Sequence, residues 1–219
     1  MKMKIFFIII ITMFVISLIA EESVGITLKV KGNVILTHEE EDLKAKDGAE
    51  LENNDVLESK DESFAVVKFI DGSSVVKLFP NSVLTINAEK KDGKLNKRSN
   101  LKLGNLWAKV SKNTGEFVID TPTTVISVKG TKFVLLVAEN GSTNLYTLEG
   151  AVNIKNKKDG NEANVGKGQK ASTSGEGEII VSTIIEGEMD EYDISSSEIL
   201  NINLKNENGE KRSIEIEFE

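Results

Sequence analysis

Phe64-Ala65-Val66-Val67-Lys68-Phe69-Ile70-Asp71-Gly72-Ser73-Ser74-Val75-Val76-Lys77-Leu78-Phe79 reads as strand, turn, strand. Two runs rich in β-branched and aromatic residues flank Asp71-Gly72. An Asp-Gly pair supplies the positive φ angles that a tight hairpin turn requires. The same punctuation recurs at Asp47-Gly48, Asp92-Gly93, Asn140-Gly141, Asp159-Gly160 and Asn208-Gly209. Short apolar runs flank most of these turns, as in residues 133–137 with 144–148 and 200–204 with 214–218. Beyond residue 21 no stretch keeps a helical period. Residues 42–52 come nearest, with Leu43 and Leu51, and Gly48 breaks them. Pro80 and Pro122 are expected where strands end or bend, because proline cannot donate to a ladder. The pattern predicts an all-β domain, either a sandwich or a short β-helix built from hairpins.

The N-terminus is of another kind. Lys2 and Lys4 precede an apolar run from Ile5 to Ala20, interrupted by Thr12 and Ser17 and followed by Glu21-Glu22. A basic end, a short apolar stretch and a small residue describe a secretory signal peptide. The run is shorter than the roughly 20 residues of a spanning helix. Leu18 is larger than the residue preferred two places before a cleavage-site alanine. Residues 1–20 therefore read as a signal peptide or an N-terminal anchor helix. Either places the remainder outside the cytoplasm, periplasmic or secreted, because the lysines stay inside.

The 219 residues hold no cysteine and one histidine, with a net charge of −8. Disulfides, thiol chemistry and cysteine-ligated metals are excluded, so the core alone must hold the fold. A Ser–His–Asp mechanism could use only His38, which beside Glu39 reads as exposed and inert. Without Lys2 and Lys4 the net charge is −10, and residues 183–219, with eleven acids against three bases, account for −8 of it. The acidity belongs to the tail, and no basic footprint for nucleic acid is present. Glu188, Asp190, Glu191 and Asp193 lack EF-hand spacing, and Gly166-Lys167-Gly168 is not a P-loop. No metal, cofactor or catalytic residue is expected. The expected organisation is a leader (1–20), a β domain (21–182), an acidic linker (183–198) and a C-terminal hairpin (199–219). In the last, Ile214, Ile216 and Phe218 alternate with glutamates and offer an apolar face.

One ordered set of motifs is more specific than β punctuation. It runs Val30-x-Gly32-x-Val34, Phe69-Ile70-Asp71-Gly72-Ser73, Leu78-x-Pro80-Asn81-Ser82-x-Leu84, Leu103-Gly104-Asn105-Leu106-Trp107 and Phe117-Val118-Ile119-Asp120-Thr121-Pro122-Thr123. Val125-Ile126-Ser127-Val128-Lys129-Gly130-Thr131-Lys132-Phe133, Leu148-Glu149-Gly150-Ala151-Val152 and Val165-Gly166-Lys167-Gly168-Gln169 follow. This succession resembles the FecR-type extracytoplasmic domain over roughly residues 27–171. Gly32, Asp71, Gly72, Pro80, Gly104, Trp107, Pro122, Gly130 and Gly150 are its structural positions. Trp107 reads as a core anchor or, alternatively, a ligand contact.

FecR-type regulators resemble transmembrane relays, in which a cytoplasmic segment engages a sigma factor and an outer domain receives a signal by protein contact. Only Met1–Lys4 precede the apolar run. The sigma-binding role is therefore not carried over, and the expectation is a non-enzymatic binding, sensing or scaffold module that contacts an envelope or secreted protein. Its candidate surface is Thr121, Thr123, Lys129 and Thr131, together with the acidic tail. The alternatives are a surface protein that self-associates through its C-terminal hairpin, and a carbohydrate-active enzyme using a carboxylate pair. Val30-Lys31-Gly32-Asn33-Val34 and Leu148-Glu149-Gly150-Ala151-Val152 also echo one another, as a duplication or as shared turn chemistry would produce.

Overall fold

The computed structural model describes residues 22–112, 114–174, 177–189 and 192, and the backbone of two further strands near the C-terminus. In chain order the strands are β1 (Gly25–Lys31), β2 (Val34–His38), β3 (Glu41–Lys44), β4 (Glu50–Leu51), β5 (Val56–Ser59), β6 (Phe64–Phe69), β7 (Ser74–Leu78), β8 (Ser82–Thr85) and β9 (Ala88–Lys91). They continue with β10 (Lys94–Val110), β11 (Phe117–Asp120), β12 (Thr124–Val128), β13 (Lys132–Val137), β14 (Thr143–Glu149), β15 (Ala151–Asn156), β16 (Glu162–Gly166), β17 (Gln169–Thr173) and β18 (Ile180–Thr183). All eighteen join one curled sheet, antiparallel except for the pair β10–β11. Among the described residues there is no α-helix, so the all-β expectation holds. No described helix is long and apolar enough to cross a membrane, and residues 1–21 with their leader reading lie outside the described residues.

The sheet has two arms that share one core. A front arm runs β4–β1–β6–β7–β10–β13–β14–β17–β18. A back arm runs β3–β2–β5–β8–β10–β11–β12–β15–β16, with β9 beside the start of β10. The seventeen-residue β10 belongs to both. Its first half pairs with β8 and β9, and from Gly104 onward it pairs with β7 and β13.

Period two explains the core. Ala65, Val67 and Phe69 of β6, Val76 and Leu78 of β7, and Phe133, Leu135 and Val137 of β13 point inward and are buried. Phe69 meets Phe117 of the back arm edge-on, with ring centroids 6.0 Å apart. Full burial of a side chain of this size contributes about 1.5–3 kcal/mol relative to exposure, and a single arm could not bury this face alone.

The chain passes from one arm to the other at corners that take positive φ, among them Gly32 (79°), Asn81 (56°), Gly104 (94°), Gly130 (68°) and Gly150 (78°). The echo between Val30–Val34 and Leu148–Val152 has a structural counterpart here. Each is a strand of the front arm turning at a glycine into a strand of the back arm. Pro80 and Pro122 sit between strands, as expected.

Two polar groups in polar stretches of the sequence are tied into the fold. Lys97, in a run that looks like a solvated hairpin, is 1% exposed, and its ammonium pairs with the Asp71 carboxylate and donates to Ser73 Oγ at 2.6 Å. Asp71 thus does more than turn a hairpin. His38 is not inert: its Nδ1 lies 2.7 Å from Oδ1 of buried Asp55. The other Asp55 oxygen accepts from Glu52 N at 2.8 Å.

The hydrogen bond to Asp55, aided by the charges of Asp55, Glu52 and Glu39, holds the imidazole above its ordinary value of 6.5 against the opposing effect of burial. A raised folded value stabilises fully below 6.5, and that contribution is lost as pH rises through the folded value. The lone histidine gives a single Cε1–H resonance, whose NMR titration is expected to have a midpoint above 6.5. A midpoint at or below 6.5 contradicts the pairing.

Strands β19 (Leu200–Lys205) and β20 (Lys211–Ile216) pair antiparallel, with Leu200 opposite Ile216 and Ile202 opposite Ile214. The Asn208-Gly209 turn and Phe218 lie outside the described residues.

Candidate functional site

Directly opposed residues of an antiparallel pair share a face, so the register across the front arm builds its outer surface row by row. Val66 of β6 faces Lys77 of β7, and Lys77 faces Trp107 of β10. Trp107 faces Val134 of β13, Val134 faces Tyr146 of β14, and Tyr146 faces Lys170 of β17. A second row carries Asn105, Leu136, Asn144 and Ser172. A third carries Val75, Lys109, Lys132 and Glu149. The result is an apolar strip centred on Trp107, Val134 and Tyr146, with Val75, Phe79, Leu136 and Leu148 around it and lysines on its flanks. The Lys77 ammonium lies 5.2 Å from the Phe79 ring centroid, and that of Lys170 lies 6.0 Å from Tyr146.

This strip is separate from the main core and is covered by the start of the acidic tail. Past β18 the chain turns over the outer face, and Ile184, Met189 and Tyr192 pack against the strip. Ile184 N donates to Gly168 O at 2.9 Å. The Tyr192 ring stands edge-on to Phe79 at 5.2 Å, and its hydroxyl accepts from Asn105 Nδ2 at 3.2 Å. Glu188 accepts from the Lys170 ammonium, from the Tyr146 hydroxyl at 3.2 Å and from Ile185 N at 3.1 Å. Trp107 is 2% exposed beneath this cover. The Lys170 and Ile185 donors hold the Glu188 carboxyl below the ordinary value of 4.5. Burial, and then the Glu188 charge, push the Tyr146 phenol upward.

The predicted surface of Thr121, Thr123, Lys129 and Thr131 needs correction. Thr121 and Thr131 are buried. Thr121 Oγ1 accepts from Thr124 N at 2.9 Å and lies 2.8 Å from Thr124 Oγ1, so it closes the β11–β12 turn. Thr123 is half-buried and donates to Gly141 O at 2.6 Å. Lys129 alone of the four is exposed. Threonine in a turn looks like surface in sequence, but here the Thr121 and Thr123 hydroxyls bond within the loop, while the Thr131 hydroxyl is buried. The missed site left a weak signal: Lys77, Trp107, Val134, Tyr146 and Lys170 lie on five strands, and only the register unites them.

On the back arm a polar groove of about 790 Å³ is lined by five asparagines (Asn53, Asn54, Asn87, Asn96 and Asn100) and by Glu89, Glu116 and Asp120 among others. Several of these groups already serve the fold. Asn53 accepts from Ala88 N, Asn87 from Asn54 N and Asn96 from Glu116 N. Asp120 pairs with Arg98 at 2.7 Å. No group of three or more acidic or histidine ligands placed to hold a metal occurs among the described residues.

Residues 55–153 match the family profile described as FecR protein. The resemblance read from the motif order is therefore shown, over β5 to β14 and into β15. Two crystal structures of a candidate anti-sigma factor from Parabacteroides distasonis, at 1.65 and 2.50 Å, share the fold with TM-scores of 0.51 and 0.50. Identity is 16% and 15%, and each match covers 58% of this chain and 59% of the other, so the chain spans less than two thirds of that protein. The comparison with curated proteins gives no match. The matched profile contains Lys77, Trp107, Val134 and Tyr146, whereas Lys170 and the covering segment lie beyond it.

Proposed function

We propose that this FecR-like chain is a regulatory or sensing module that works outside the cytoplasm by protein contact. The match over residues 55–153 carries the reading. The leader-like N-terminus, with Lys2 and Lys4 ahead of an apolar run, supports the compartment. The outer face of the front arm supports contact as the mode of action. It gathers one Trp, one Tyr, aliphatics and lysines on a rigid sheet, a composition suited to recognising protein. The likeness to an anti-sigma factor agrees with a regulatory role.

The test has two readouts in the native host. Protease added to intact or osmotically opened cells should degrade the chain while cytoplasmic markers survive. Deleting the chain should change a defined set of transcripts when the envelope is perturbed. Protection from external protease, or transcripts unchanged by the deletion, overturns the reading.

A second reading rests on the paired strands β19 and β20. A hairpin at the end of the chain can extend the sheet of another copy, giving a self-associating surface protein. Removing residues 199–219 should then lower the sedimentation coefficient to that of a monomer. An unchanged assembly state sinks this alternative.

A further inference from the structure

We infer that the outer face of the front arm is a docking surface for an acidic, turn-forming peptide with aliphatic and aromatic anchors, and that residues 184–189 with Tyr192 occupy it as a built-in competitor. The inference rests on the reading of the chain as a contact module and names the surface and the chemistry of its partner.

Three observations carry it. The surface has an apolar floor, Trp107 with Val134 and Tyr146, and cationic flanks at Lys77 and Lys170. The covering segment is its complement, with Ile184, Met189 and Tyr192 on the floor and Glu188 on Lys170 and Tyr146. Finally, the cover is held by side chains. Ladder pairing to β17 ends at Thr183, and beyond it Ile184 N donates to Gly168 O among the described residues. Among the described residues, Glu188 N to Ile185 O and Tyr192 N to Met189 O are backbone bonds internal to the stretch.

A cover seated in this way leaves the floor complete when it lifts. Trp107, Val134 and Tyr146 come from β10, β13 and β14, which are fixed by their own ladders. A partner segment with an acid between apolar and aromatic anchors would meet the same lysines and the same strip. Opening the face to a partner and releasing the tail are then one event. Ile185, 69% exposed on the cover, is an accessible start for peeling it away.

Trp107 is the only tryptophan of the chain, so its emission reports the state of the face. In the full chain, Glu188→Gln, Met189→Ser and Tyr192→Ser together should shift the emission to the red, with the far-ultraviolet circular dichroism of the β domain retained. A synthetic peptide of residues 183–193 should return the emission to the blue. It should bind this variant at least tenfold more tightly than the native chain, and adding Lys170→Glu should abolish that binding. Unshifted emission, equal affinity for both chains, or no binding to the variant overturns the inference. So does binding that appears only with dimer formation, which would make the occupant the tail of a second copy.

Hydrogen exchange on the native chain gives a test without substitutions. Amides of residues 184–189 should exchange at least a hundredfold faster than those of β13. Equal protection would make the cover a fixed part of the domain and overturn its displacement. A failed peptide titration leaves the regulatory reading to its transcripts, and unchanged transcripts leave peptide binding intact.

Discussion

Asp71→Ala is expected to lower the unfolding free energy by about 3–5 kcal/mol, the range for removing one partner of a buried ion pair. Lys97 is 1% exposed while Asp71 is 25% exposed, so the two ends of the pair are not equivalent. Removing Asp71 strands an ammonium beneath the sheet with Ser73 Oγ and the Phe69 ring, 6.0 Å from its centroid, as neighbours. Removing Lys97 instead leaves a partly hydrated carboxylate that still accepts from Ser73 N at 3.1 Å and from Ser73 Oγ at 2.8 Å. Lys97→Met, of similar length and apolar, is therefore expected within about 1.5 kcal/mol of the native chain. Denaturant midpoints of the two variants should differ in that order, and equal losses would show that the pair is a surface contact.

Acid supplies a second check on the same pair. Burial raises the Asp71 carboxyl, but the donors Lys97 and Ser73 outweigh it and hold it below 3.8. A depressed folded value gives stability that is present above 3.8 and is lost as pH falls through the folded value. The gap between native chain and Asp71→Ala should close in that range.

How this pair went unseen shows what the sequence carried. Residues 64–69 and 74–78 declared their hairpin through period two and Asp71-Gly72, and the register, with Lys68 opposite Val75, agrees. Lys97 sits in Lys94-Leu95-Asn96-Lys97-Arg98-Ser99, where polarity argues for solvent. Alternation does place Leu95, Lys97 and Ser99 on one face, and that face is the core. A lysine can be buried there because its acceptor arrives from a hairpin of the other arm, a fact that no local window contains. The cover over Trp107 failed for a related reason. Ile184, Met189 and Tyr192 follow neither period and stand among acids, so composition suggested a linker while the sheet supplies lysines and rings that hold part of it.

The inner faces of the arms are apolar because each must cover the other. The outer face of the front arm carries Trp107 and Tyr146 in a second, separate apolar cluster. These aromatics lie in a cluster apart from the central core, and Ile184, Met189 and Tyr192 of the tail cover them.

Gly104→Ala tests the element on which both arms depend. β10 pairs with β8 through Leu103 and with β13 from Gly104, and a register shift lies between Leu101 and Leu103. At Gly104 the backbone takes φ 94°, a conformation that residues with a Cβ avoid. A Cβ there would lie 2.5 Å from Ser82 Cα and 2.1 Å from Ser82 Oγ. Ser82 cannot retreat, because its hydroxyl accepts from Asn105 N at 2.8 Å and its own amide donates to buried Ser59 Oγ at 3.2 Å. Strain at φ together with overpacking against a backbone atom should cost about 3–5 kcal/mol. Gly72→Ala also has positive φ, but its nearest neighbour is the flexible Lys68 Cε at 3.9 Å, so its loss should stay near 1 kcal/mol. Thermal unfolding of the two variants separates the explanations. If Gly104→Ala loses no more than Gly72→Ala, dihedral preference alone is at work and the close approach at the corner has no energetic role. A Gly104→Ala chain that melts far lower, or fails to fold while Gly72→Ala does not, places the joint between the arms at this contact.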